Sequence, residues 1–175
     1  MDIGLISDTH GFLDPRVIKL FGDCDEVWHA GDFGPQVAEK LQRAFPVFRG
    51  VAGNIDDDSV RLQYPEDFRF TCAGVDVWLT HIAGRPGRYD RRVRALLRQN
   101  PPDLLVCGHS HVLHVETDYE LQNMQYLNPG AAGHHGFHHQ RTLLKVKLEA
   151  GEISKIRLIE LGARGRRIEA RSNTV

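Results

Sequence analysis

Short apolar runs punctuate the first half of the chain, and segments of helical spacing separate them. Ile3, Leu5 and Ile6 read as a strand. A helix is predicted over about residues 15–21, with Pro15 at a tolerated first-turn position. Val27-Trp28 reads as a second short strand. Over residues 35–45, Val37, Leu41 and Phe45 recur on one face, which predicts a second helix. Residues 47–51 read as a third strand. Strand, helix, strand, helix, strand is the order that builds a largely parallel sheet.

The later pattern is different. Apolar segments at 68–72 and 75–79 flank Ala73-Gly74, which predicts a tight hairpin. A helix over about residues 90–99 is closed by Asn100-Pro101-Pro102; Val93, Leu96 and Leu97 share one face, and Arg91, Arg94 and Arg98 form a solvated one. Leu104-Leu105-Val106 reads as a buried strand. Residues 113–117, 124–127, 142–148 and 153–159 predict an antiparallel meander, with Ala150-Gly151 as a turn. The whole suggests two sheets packed face to face with helices outside.

A length of 175 residues predicts one domain with a substantial core. Arg164, Arg166, Arg167 and Arg171 against Glu169 make residues 161–175 a basic tail expected to fray. The net charge of −1 supplies no general attraction to nucleic acid or to a membrane surface. No apolar run approaches the ~20 residues that span a bilayer. No basic segment leads into an apolar one after Met1, so no secretory signal is expected. Cys24, Cys72 and Cys107 are odd in number and widely spread, which fits a reducing cytoplasm rather than a disulfide framework; Cys107 reads as a buried strand thiol.

The candidate chemistry sits where the strands end. Asp8 and His10 follow the first strand, Gly31-Asp32 the second and Gly53-Asn54 the third. His81 follows the strand at 75–79, and Gly108, His109 and His111 follow the one at 104–106. In open α/β sheets, ligands bind beyond the carboxyl ends of strands, so five strand ends would bring seven polar side chains to one edge. Asp8 and His10, like His109 and His111, are spaced i, i+2, which in extended backbone points both side chains the same way. The glycines before Asp32, Asn54 and His109 let the backbone turn and approach closely. A nitrogen and oxygen donor set without cysteine favours Mn, Fe or Zn over Ca or a structural zinc.

Asp-x-His, Gly-Asp, Gly-Asn, a lone His and Gly-His-x-His, in that order, resemble the calcineurin-like metallophosphoesterase superfamily. The short chain and the Gly53-Asn54-Ile55-Asp56 variant resemble its small bacterial and archaeal phosphodiesterase branch, and Asn128-Pro129-Gly130 matches a late motif. The likeness runs over about residues 2–148. It implies a four-layer α-β-β-α sandwich of two mixed sheets flanked by helices. It implies two divalent ions, Mn first and Fe, Zn, Ni or Mg as alternatives. Asp8, His10 and His111 would hold one ion, Asn54, His81 and His109 the other, and Asp32 would bridge them. Asp32, Asn54 and His109 would be catalytic, with a hydroxide bridging the ions as nucleophile. Where larger relatives carry Gly-Asn-His, Ile55 stands here and can donate no proton to a leaving group.

Other candidates stand beside simpler readings. His29 either orients a ligand or is a strand histidine bonded to backbone. Gly133-His134-His135-Gly136-Phe137-His138-His139 is either a polar loop or a contact to substrate, with His134 and His135 nearest the late motif. Arg85 and Arg88 offer guanidinium forks suited to phosphate, or are solvated loop charge. The expected substrate is a small phosphate ester, nucleotides included. A non-catalytic protein-interaction scaffold and a nuclease are the alternatives, and association with further copies of the chain is open.

Overall fold

The computed structural model describes residues 1–165. The first half alternates as its apolar pattern requires: β1 (Asp2–Ile6), α1 (Arg16–Leu20), β2 (Glu26–His29), α2 (Val37–Ala44), β3 (Phe48–Gly50) and a further helix, α3 (Asp58–Gln63). Then come β4 (Asp67–Cys72), β5 (Val75–Thr80), the small hairpin β6 (Gly84–Arg85) and β7 (Arg88–Tyr89), α4 (Arg91–Gln99) and β8 (Leu104–Val106). The chain continues through β9 (Leu113–Asp118), a 3₁₀ turn (Tyr119–Leu121), β10 (Met124–Pro129), β11 (Gln140–Glu149) and β12 (Glu152–Ala163).

Two five-stranded mixed sheets result, in the orders β12-β11-β1-β2-β3 and β4-β5-β8-β10-β9. β1, β2 and β3 run parallel, as do β5, β8 and β10; antiparallel β11 borders the first trio on one side, and antiparallel β4 and β9 border the second on both. Alternation assigns the faces. Ile3, Leu5, Leu144 and Val146 of one sheet meet Val77, Leu79, Leu104 and Val106 of the other in the central core. On the outer face of the first sheet, Ile6 and Val27 pack against Val17 of α1 and Val37 and Leu41 of α2. On the outer face of the second, Trp78, Leu105 and Tyr126 pack against Val93 and Leu97 of α4. The layers are therefore α-β-β-α, as the motifs implied.

The expected meander is corrected. β9 and β10 form a hairpin in one sheet, while β11 and β12 form a hairpin in the other. A strand's side-chain alternation states which face is buried but not which strand lies beside it. The turns at Ala73-Gly74 and Ala150-Gly151 are as expected, with both central residues of each at positive φ. The segment holding Arg85 and Arg88 is a two-stranded hairpin rather than an open loop. The α3 helix had no signal: it buries no residue and stands on its N-cap, where Asp57 accepts the Val60 N–H. β12 runs to Ala163 and Leu161 is buried, so the first three residues assigned to the tail belong to the sheet. Arg166, Arg167 and Arg171 lie outside the described residues.

Candidate metal centre

The carboxyl ends of β1, β2, β3, β5 and β8 reach one edge of the two packed sheets, and all seven candidate donors meet there. Asp8, His10 and His111 form one group and Asp32, His81 and His109 a second, the donor atoms within each lying within 4.8 Å of one another. In the first group His111 Nε2 is 3.2 Å from Asp8 Oδ1 and 3.2 Å from His10 Nε2. In the second, His81 Nε2 is 3.3 Å from Asp32 Oδ1 and 3.1 Å from Asn54 Oδ1. Asp32 stands between the groups, with its other oxygen 3.8 Å from His10 Nε2.

Positioning comes largely from backbone. Asp8, His10, Asp32, His109 and His111 all have φ between 46° and 67°, the left-handed region. That costs a side-chain-bearing residue about 1 kcal/mol or more, and it persists only where surroundings enforce it. Here the loops are laced together: Asp8 N–H donates to Gly31 O at 3.1 Å, His10 N–H to Asp32 O at 3.1 Å and Gly108 N–H to His81 O at 3.1 Å. The i, i+2 pairs thus converge through left-handed turns and not through the extended backbone expected of them. Gly53 and Gly108 act by lacking a Cβ: one added at Gly53 would stand 2.0 Å from Asp32 Oδ1, and one at Gly108 2.0 Å from Ser7 Oγ.

The supporting contacts fix which atoms face the centre. Ser7 Oγ donates to Asp8 Oδ2 at 2.6 Å, and His109 N–H donates to the same oxygen at 3.1 Å. Oδ1 faces His111 and takes a longer share of the His109 N–H, at 3.3 Å. His81 Nδ1 lies 2.7 Å from Ala30 O, a pure acceptor, so Nδ1 carries a proton and Nε2 faces Asp32. Two acceptors at 3.3 Å require positive charge between them, as a proton or a metal ion. Burial opposes charge on His81, yet Asp32, Asp8 and the Ala30 carbonyl together outweigh it and raise the pKa. Asp32 in turn is lowered, burial opposing and the His81 contact prevailing. Burial lowers the pKa of both His10 and His109, which keeps those rings in the neutral form that ligates. The donor set fits divalent cations.

His29 combines both readings made of it. Its Nδ1 accepts the Gly31 N–H at 3.1 Å, so Nε2 carries the proton and donates to Thr9 Oγ1 at 3.0 Å. The ring's hydrogen bonds go to Thr9 and Gly31 and tie together the two loops that carry Asp8, His10 and Asp32. Three contributors had no role assigned from the sequence. Asp56 is buried and accepts from Gly34 N–H at 3.0 Å and from Gly53 N–H at 2.8 Å. Ser7 holds Asp8. Asn128 Nδ2 donates to Gly108 O at 2.7 Å and to Ser110 Oγ at 3.1 Å, bracing the His109 loop. Asp56 and Asn128 stood in the Gly53–Asp56 and Asn128–Gly130 motifs; Ser7 carried no sequence signal.

A cleft of about 700 Å³ opens beside the centre, lined by His10, Asp32, Asn54, His109 and His111 and by the histidine-rich loop. His135 reaches it, its ring 4.9 Å from that of His10. His134 does not line it: Nδ1 bonds Arg164 O at 2.6 Å and the ring packs on Phe12. His138, ranked behind His134 and His135 in the sequence, does line it, 5.4 Å from the His111 ring. Arg85 and Arg88 are exposed on the β6–β7 hairpin and are not among the lining residues. Cys107 is fully buried and burial pushes its thiol up to about 12, so it is no nucleophile.

A chain that brings Asp-x-His, Gly-Asp, Gly-Asn, His and Gly-His-x-His to one edge of a double sheet belongs to the calcineurin-like phosphoesterase superfamily, whose domain model matches residues 1–151. A probable metallophosphoesterase of Mycoplasma pneumoniae is 34% identical over 134 residues, which is 73% of this chain and 76% of that protein. An archaeal phosphodiesterase structure superposes with a TM-score of 0.74 at 21% identity, covering 92% of this chain and 100% of that one. Vps29 of Entamoeba histolytica, solved with zinc, superposes with a TM-score of 0.68 at 18% identity, covering 94% and 99%. At those identities the two structures attest the fold. Among the described residues, no helix is long and apolar enough to cross a membrane.

Proposed function

We propose that this protein is a metal-dependent phosphodiesterase that hydrolyses a small phosphate ester with two divalent cations, manganese foremost. One observation carries the reading: Asp32 stands between two donor groups, one oxygen 3.3 Å from His81 Nε2 and the other 3.8 Å from His10 Nε2. A structural metal site would need one closed set of donors; this one has two partial sets with a shared carboxylate and an open cleft beside them.

Asp8, His10 and His111 would hold one cation, Asn54, His81 and His109 the other, and Asp32 both. Bound there, the cations would supply Lewis acidity to the phosphoryl group and to an attacking water. The chain's own part is to fix those donors. Ser7 and the His109 N–H orient Asp8, Ala30 O holds the His81 ring, and the Ile55 N–H donates to Asp32 Oδ1 at 3.0 Å. The Ile55 side chain stands at the cleft and offers the leaving group no proton, so esters of weakly basic leaving groups turn over fastest.

The test is chelation followed by reloading with Mn, Fe, Zn, Ni or Mg, with elemental analysis and an assay on bis(4-nitrophenyl) phosphate and 4-nitrophenyl phosphate. Metal-restored turnover favouring the diester supports the reading. Full metal binding without turnover turns it into the scaffold alternative. A nuclease would need phosphate-neutralising side chains along its groove, and among the described residues no lysine or arginine lines this cleft.

A further inference from the structure

Ile55, Val112, Leu158 and Phe137 all line the cleft, and they are 47%, 61%, 43% and 99% exposed. They come from four separate places: the loop after β3, the turn into β9, the strand β12 and the histidine-rich loop. Large apolar side chains scattered singly over a surface need no explanation. Four around the mouth of one cleft form a patch, and such patches mark binding surfaces. Beyond the candidate metal donors, Glu160 is the one carboxylate lining the cleft among the described residues. Among the described residues no lysine or arginine lines the cleft, so the extra charge of a dianion or a polyphosphate would meet no permanent side-chain cation there.

We propose that the substrate is a monoanionic phosphodiester, one arm of which carries a flat, uncharged ring system that stacks on Phe137 and lies against Val112, Ile55 and Leu158. This rests on the phosphodiesterase reading above. Phe137 is well placed for the task. Its neighbour Gly136 packs on a candidate donor, since a Cβ there would stand 2.1 Å from His111 Nδ1. The ring therefore springs from backbone one residue from the metal centre. Arg164, the residue after β12, anchors that loop: its backbone N–H donates to His139 O at 3.0 Å, its carbonyl meets His134 Nδ1 at 2.6 Å and its guanidinium donates to Gly136 O. The loop is thus fixed on both sides of an aromatic ring that contacts almost nothing in the protein itself. Stacking of a planar group on such a ring is worth about tenfold in affinity.

The test uses the manganese-loaded full chain and three diesters that share one charge and one leaving group, 4-nitrophenolate. They differ in the other arm: methyl, phenyl or thymidine 5′. The expected result is a kcat/KM about tenfold higher for the phenyl and thymidine esters than for the methyl ester, carried mainly by KM. Phe137→Ala should collapse that ratio towards one, and Phe137→Trp should restore it. A ratio near one in the native protein, or one that Phe137→Ala leaves intact, overturns the proposal while the phosphodiesterase reading stands. No turnover of any of the three with any metal removes both.

Discussion

Asp56 is expected to be the hinge pin of the centre although it binds neither cation. Its carboxylate joins Gly34, two residues past Asp32, to Gly53, one residue before Asn54, and the side chain is buried. Arg61 braces the same turn through the carbonyls of Asp56, Gly53 and Asn54. Asp56→Asn preserves the shape but has one acceptor for two N–H donors. One bond survives without its charge assistance, and the other N–H faces an amide NH₂. An unsatisfied buried donor costs ~1–3 kcal/mol and the lost charge assistance ~1 kcal/mol, which sums to roughly 2–4 kcal/mol. With a urea slope of ~2 kcal/mol/M, the unfolding midpoint of the metal-free protein should fall by about 1–2 M. Calorimetric titration should show manganese binding weakened by about 10–100-fold, the usual effect of removing a contact that orients donors. A midpoint within about 0.3 M of the native value, together with unchanged affinity, would refute the idea that this carboxylate sets the Asp32–Asn54 geometry.

Gly53→Ala should abolish binding of at least one cation, because the new methyl meets the Asp32 backbone nitrogen at 2.3 Å as well as its carboxylate; elemental analysis showing a full metal complement would contradict this. His29 is buried and its pKa lies well below the ordinary 6.5, burial being the main cause and His81 the next. The unfolded chain therefore takes up a proton near pH 6.5 that the folded chain refuses, so stability is whole above that pH and falls by up to ~1.4 kcal/mol per unit below it. His29→Gln in chelator should show a shallower loss between pH 6 and pH 5, and parallel slopes for the two proteins would dispose of the argument. Arg85→Ala and Arg88→Ala should change KM by less than about twofold, since neither side chain lines the cleft; a tenfold rise in KM would mean that the hairpin folds over bound substrate.

The sequence by itself determined the candidate donors and their order. Each follows a short apolar run that reads as a strand, and all but the lone His81 have a glycine or a second candidate donor close by, so strand ends and chemistry were legible together. It determined the two parallel trios less completely: the first shows as strand–helix alternation, whereas β8 and β10 looked like members of different units. Only the tertiary structure decided that β9–β10 and β11–β12 lie in opposite sheets, because pairing is a non-local choice that alternation leaves open. Only it put five donors into left-handed backbone, since that conformation is imposed by hydrogen bonds from loops distant in sequence and no residue type among them demands it. The same reason explains Asp56, His138 and the two arginines. Whether a charged or aromatic ring side chain near a motif reaches a centre depends on where its loop is tied down, and those ties, such as Arg164 to the histidine-rich loop, join residues that carry no mutual signal along the chain.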